Sequence, residues 1–151
     1  MARVVISGYY GFQNAGDEAV LYSIIQALRS LKPGLQITVL SQRPQQTAAT
    51  LSVEAVNRWQ PSAVAGAVRR ADFFISGGGS LFQDVTGPKS ILYYSGVVNL
   101  ARLLGKPVMV YAQGLGPLKR RWSRWLAGKT LNRVQLITLR DSESRQLLGE
   151  L

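Results

Sequence analysis

Four short stretches hold the residues able to do chemistry: GYYGFQNAGDEA, SGGGSLFQD, YAQGLGP and TLRDSES. In the first, glycines at 8, 11 and 16 surround Asn14 and lead into Asp17 and Glu18. This spacing fits neither G-x-G-x-x-G nor the Gly-Lys-Ser/Thr ending of a phosphate loop. Two carboxylates at a helix start would also repel a phosphate placed on that helix end. The stretch therefore reads poorly as a nucleotide cradle. It reads better as Asn14 and Asp17 presented at a strand edge, where they could hydrogen-bond sugar hydroxyls. The alternative is that Asp17 only caps the helix and the glycines only permit the turn.

In the second stretch, Gly77, Gly78 and Gly79 let backbone N–H groups converge as an anion nest, with Ser76 and Ser80 as further donors. Gln83 and Asp84 follow as polar groups in apolar surroundings. Three successive glycines are costly in conformational entropy, which favours the approach of a ligand over a merely tight loop. Gln113 leaves the third stretch just before Gly114, facing a ligand or a neighbouring loop. Arg140 in the fourth is the best anion clamp of the chain, because its guanidinium can grip a carboxylate or phosphate through two parallel bonds. Its rival role is an ion pair with Asp141, Glu143 or Asp17.

These residues need elements to hold them. RVVIS, residues 3–7, reads as a buried strand, and residues 17–31 as the helix after it. Val20, Leu21, Ile24, Leu28 and Leu31 keep the spacing of one apolar stripe. Pro33 and Gly34 stop the helix before a second strand at 35–40. Residues 41–61 are polar and show only a short strand around 53–56. Then come a weak helix at 62–70, a strand at 72–76, the glycine-rich loop and a helix at 90–104. A strand begins at 107, the loop QGLGP follows, and a basic helix spans 118–129. A last strand at 134–140 and a short helix at 142–148 complete the order. Strand, loop and helix alternate, which predicts an α/β fold with a Rossmann-like parallel sheet and helices on both faces. In such sheets ligands sit beyond the carboxyl ends of the strands. The loops at 8–16, 77–80 and 113–117 should therefore share one edge.

Composition narrows the function. The 151 residues are 46% hydrophobic and 17% charged, as expected of one globular domain rather than a disordered chain. No apolar run approaches the ~18–20 residues of a membrane span. The chain enters its first strand without a charged-then-apolar leader, so no cleaved secretion signal is expected. Cysteine and histidine are both absent, excluding disulfides, thiolate chemistry and the commonest general base. Any imidazole must come from elsewhere. The formal charge of +10, concentrated partly in LKRRWSRW, admits an acidic substrate, anionic lipid or nucleic acid as partner.

The motifs GYYGFQNAGDEAVL, ISGGGSLFQDVTG, LLGKPVMVYAQGLGPL and TLRDSES, in this order, resemble the N-terminal half of the polysaccharide pyruvyl transferases. The similarity covers almost the whole chain and is nearest to the CsaB type of bacterial cell-wall and exopolysaccharide pathways. One departure is Gln13, where the family's GFGN segment has glycine. The resemblance implies a GT-B-like enzyme of two Rossmann-like domains facing across a cleft, of which residues 1–151 form the N-terminal one. It implies transfer of a pyruvyl group from phosphoenolpyruvate to two sugar hydroxyls, forming a cyclic ketal and releasing phosphate. The second half, with its histidine motif, would be a separate domain, and residues 1–151 alone would be inactive.

On that reading Arg140, Gly77, Gly78, Gly79 and Ser80 bind the donor. Asn14, Gln83, Asp84 and Gln113 line the acceptor side of the cleft, and Asp17 is the catalytic carboxylate. No metal and no cofactor besides the donor phosphoenolpyruvate is expected. The acceptor would be a lipid-linked or polymeric glycan, and the location cytoplasmic, peripheral at the inner face of the membrane. Two other functions compete: a sugar-nucleotide glycosyltransferase of the same architecture, and a basic module for acidic glycan or anionic lipid. Nucleic acid is not expected, because residues 119–124 lack base-reading groups. Trp122 and Trp125, three apart on a helix, are expected to pack in a core or against the second domain.

Overall fold

The computed structural model describes residues 1–151, the whole chain. Its strands are β1 Arg3–Ser7, β2 Gln36–Ser41, β3 Glu54–Asn57, β4 Phe73–Ser76, β5 Gly79–Phe82, β6 Val108–Leu115 and β7 Leu136–Leu139. The helices are α1 Ala15–Leu31, α2 Pro44–Leu51, α3 Pro61–Arg70, α4 Lys89–Leu103, α5 Arg121–Leu131 and α6 Ser142–Glu150. All seven strands join one sheet, and every pairing is parallel.

Neighbours run β3, β2, β1, β4, β6 across this sheet. β7 takes the far edge of β6, pairing Met109, Val110 and Gln113. β4 pairs with the first half of β6 and β5 with its second half, so β5 continues the line of β4. Counted as one interrupted strand, β4 and β5 give the Rossmann order 3-2-1-4-5-6. The chain reverses direction across the sheet between β1 and β4. A crevice therefore opens there, because the loops leaving these two strands depart to opposite faces.

Alternation along the strands builds a core on each face. Val4 and Ile6 point to α1, meeting Leu21, Ile24 and Ile25 together with Ile37, Val39 and Ile75. Val5 points the other way and joins Leu40, Phe74, Val108 and Val110 under α3, α4 and α5. Each such fully buried aliphatic side chain contributes about 1.5–3 kcal/mol relative to an exposed one. The apolar stripe of α1 is largely as its spacing predicts, with one correction. Leu31 is 83% exposed, because the helix terminates there, with Lys32 as its C-cap. Ile25, one turn beyond Leu21, is buried in its stead.

Four elements depart most from the expected boundaries, among them the basic helix, which starts at Arg121 rather than 118. α2 forms in the polar stretch 41–61, started by Pro44 and burying only Thr47. β5 forms inside the glycine-rich loop, and β6 runs on through Gln113 and Gly114 to Leu115. The three loops nonetheless share the carboxyl edge of the sheet, as all the strands that feed them are parallel. Trp122 and Trp125 are not in the core: both stand on the outer face of α5, 41% and 63% exposed.

Candidate functional site

A cavity of about 770 Å³ opens at the switch point. Asn14 and Asp17 reach it from the start of α1, Gly78, Gly79, Ser80 and Gln83 from β5 and its flanks, and Arg140 from the end of β7. Tyr9, Thr86, Ser90 and Tyr94 complete much of the wall.

Asn14 is the N-cap of α1, its Oδ1 accepting the Asp17 amide at 3.1 Å. Glu18 folds back to accept the Gly11 amide at 2.8 Å, tying the loop to the helix. Asp17 is thus neither the cap nor the loop brace; its carboxylate stands in the first turn of α1 and lines the cavity. Burial, then the neighbouring Glu18, raises its pKa above the usual aspartate value, while Arg140 acts in the opposite direction. It lies against Gly79, which has φ of +104°; a Cβ there would come within 2.7 Å of Asp17 Oδ1. Glycine here answers both a left-handed backbone and the closeness of the carboxylate.

Arg140 lies across Gly114, where any side chain would collide with its guanidinium. Its Nη2 donates to Ser80 Oγ at 2.8 Å, joining the end of β7 to the glycine-rich turn. Its Nε stands 3.5 Å from Asp141 Oδ2, so the rival ion pair exists, with both side chains about half exposed. Pairs of this exposure contribute at most about 1 kcal/mol. Asp141 has another task as N-cap of α6, accepting the Ser144 amide at 2.7 Å. Hydrogen bonds from Ser144, with a smaller contribution from Arg140, hold its carboxyl below the usual range. Nη1 of Arg140 donates to no group of the protein, leaving it available to an anion in the cavity.

Three of the residues expected at the cleft are occupied elsewhere. Gly77 donates its amide to Ser7 O, and a Cβ on it would overlap the buried Tyr10 hydroxyl. That amide serves the sheet, so the triple-glycine nest shrinks to Gly78 and Gly79. Asp84 is buried and turned away from the cavity. Its carboxylate accepts the Lys119 amide at 2.9 Å, the Arg120 amide at 2.7 Å and the Ser123 hydroxyl at 2.6 Å. It caps α5 from a distance, because Arg120 at the N-cap has no acceptor of its own. Burial pushes its pKa up, but the bonds from Ser123, Arg120 and Lys119 outweigh that and hold it below the usual aspartate value. Gln113 is fully buried, and its Nε2 supports the cavity wall from behind by donating to Gly79 O at 2.6 Å. Gln83 lines the cavity but bonds its own turn, accepting the Val85 and Thr86 amides and donating to Thr86 Oγ1.

The sequence reasoning passed over Ser90 and Tyr94. Their signal was a Gly-Pro pair followed by Ser-x-x-x-Tyr, which puts both on one face of α4 at its start. Tyr94 Oη accepts from Arg58 Nη2 at 3.2 Å, and Arg58 Nη1 donates to Gly8 O at 2.9 Å. This buried guanidinium lies within 5.4 Å of the ring centres of Phe12, Trp59, Tyr93 and Tyr94. The cage anchors the first loop to α4. Burial pushes the Tyr94 phenol up to about 12 despite Arg58, so it stays protonated at neutral pH.

The cavity thus offers one cation, one carboxylate of raised pKa, hydroxyls at Ser80, Ser90 and Tyr94, and aromatic wall from Tyr9. This set can hold an anion and exchange a proton. No helix of the chain is long and apolar enough to cross a membrane. A family model described as polysaccharide pyruvyl transferase matches residues 14–151. No curated protein matches the chain.

Proposed function

Since the chain belongs to the polysaccharide pyruvyl transferase family, we propose that it transfers a pyruvyl group from phosphoenolpyruvate to a sugar of a cell-wall or exopolysaccharide, forming a ketal. One observation carries this reading: Arg140 and Asp17 converge on one glycine-lined cavity at the switch point. The donor brings a carboxylate and a phosphate, and the free edge of Arg140 suits either. Ser80, already bonded to Arg140, and the Gly78–Gly79 turn complete the donor end.

In the reaction the donor's methylene carbon gains a proton, and one acceptor hydroxyl adds to the adjacent carbon. The second hydroxyl then displaces phosphate from that carbon. Of the two hydroxyl protons, one balances the new methyl group and the other the released phosphate. Asp17 is the group of this chain suited to exchange them, since a raised carboxyl pKa brings its proton affinity nearer neutrality. Asn14 beside it, and Tyr94 as a protonated donor, orient the sugar.

The test is steady-state kinetics of the full-length protein with phosphoenolpyruvate and a sugar acceptor, following phosphate release and the ketal together. Arg140→Ala should lose roughly ten- to a hundredfold in donor affinity or turnover, the value of a charge-assisted hydrogen bond. Arg140→Lys should stay impaired, as lysine keeps the charge and loses the two-pronged geometry. If Arg140 served only Asp141, melting temperature would fall while kinetics stayed normal. Turnover of a sugar nucleotide with none of phosphoenolpyruvate would replace this reading by the glycosyltransferase one.

A further inference from the structure

The net positive charge of the chain is confined to one part of it. Residues 85–140 contain ten lysines and arginines and no acidic residue. Outside them eight cations face eight carboxylates, so this segment accounts for the entire formal charge of +10. The segment is α4, β6, α5 and β7, at the far side of the sheet beyond the switch point. α4 and α5 pack together on one face of the sheet.

Within that segment, α5 has two unlike faces. Ser123, Ala127, Thr130 and Leu131 are buried against the sheet and α4. Arg121, Trp122, Trp125 and Lys129 all point outward, within about 100° of arc at the turn of an α-helix. Lys129 stands over the Trp125 ring, 4.8 Å from its centre. Lys119 and Arg120 extend the charge at the helix start. Arg124, on the flank, is the α5 cation with an acidic partner, Glu150 at 3.2 Å. Two exposed indoles between unpaired cations, with no carboxylate among them, are costly to leave in water and match an interface of anionic headgroups above acyl chains.

We infer that the outer face of α5 docks on an anionic membrane surface, with Trp122 and Trp125 at headgroup level and Arg121 and Lys129 among the phosphates. The inference stands independently of pyruvyl transfer. It has a consequence for the cavity, because Asp84 ties the start of α5 to the turn carrying Gln83 and Thr86. The start of α5 is thereby joined to the cavity wall, which suits an acceptor carried on a lipid.

The experiment uses the Trp59→Phe background, so that tryptophan emission reports α5 alone. The expected result is cosedimentation with vesicles of phosphatidylcholine mixed with phosphatidylglycerol, with a blue shift in emission, and neither with pure phosphatidylcholine. Arg121→Gln with Lys129→Gln should lower the partition coefficient roughly thirtyfold, each charge counting about fivefold. Trp122→Ser with Trp125→Ser should weaken binding with the far-ultraviolet circular dichroism unchanged, as these side chains are outside the core. Cosedimentation untouched by either pair would overturn the inference. So would binding to soluble heparin without any emission shift on the mixed vesicles, which would make the face a site for acidic polymers.

Discussion

Removing the Asp84 carboxylate should destabilise the fold more than any other single change at the carboxyl edge of the sheet. Asp84→Ala leaves the Lys119 and Arg120 amides and the Ser123 hydroxyl without their acceptor, at the start of α5 where no other cap exists. Hydrogen bonds to a charged group are worth about 1.5–3 kcal/mol each, and water recovers part of the loss at the two amides. The expected cost is about 3–5 kcal/mol, or roughly 10–15 °C in melting temperature for a chain of this size. Asp84→Asn should cost somewhat less, since one acceptor oxygen remains. The measurement is urea unfolding followed by circular dichroism. It also has a pH signature. The carboxyl is held below the usual aspartate value, so its contribution is complete above that value and disappears as pH falls through the folded one. The gap between wild type and Asp84→Ala should therefore close in acid. Ser123→Ala should cost about 1 kcal/mol alone and almost nothing in the Asp84→Ala background, because the pair share one bond. A gap under about 1 kcal/mol at neutral pH, or one that persists unchanged in acid, would refute the remote-cap reasoning.

Three further outcomes are expected. Asp17→Asn should cut turnover of the full-length protein with the fold intact, since Asn14 and not Asp17 caps α1. With its folded pKa raised, the wild-type carboxylate should lose stability as pH rises from the usual aspartate value through the folded one; thermal melts of Asp17→Asn should lack that loss. Gln13 has φ of +62°, so Gln13→Gly should gain about 0.5–1 kcal/mol in chemical unfolding by relieving a left-handed residue, and a loss would mean its side chain has an unrecognised role. Gly77→Ala should destabilise through overlap with the Tyr10 hydroxyl, and Tyr10→Phe should restore part of the stability, as that hydroxyl has no hydrogen-bond partner. Failure of the rescue would assign the strain to the Ser7 carbonyl.

What was legible in the sequence was what local chemistry decides. Apolar runs such as RVVIS and the stripe of α1 have no other way to leave water, so the alternation of strands and helices along the chain and the parallel α/β fold followed from spacing. The four motifs were legible as well, including the departure at Gln13, which is the left-handed residue of its loop that is not a glycine. Elements with no apolar period were not: α2 buries a single threonine, and β5 begins on a glycine and owes its form to pairing with β6. The site divided along the same line. Arg140 and the glycine-rich turn are at strand ends and Asp17 opens the helix after β1, and parallel topology alone gathers strand ends and the starts of the following helices on one edge. Whether a polar side chain there faces the cavity or braces the wall depends on partners far along the chain. Asp84 meets Lys119, Arg120 and Ser123, and Gln113 meets Gly79. Such pairings arise only when the crossovers bring distant segments together, because a hydrogen bond needs a partner within about 3 Å, and spacing along a sequence cannot supply one.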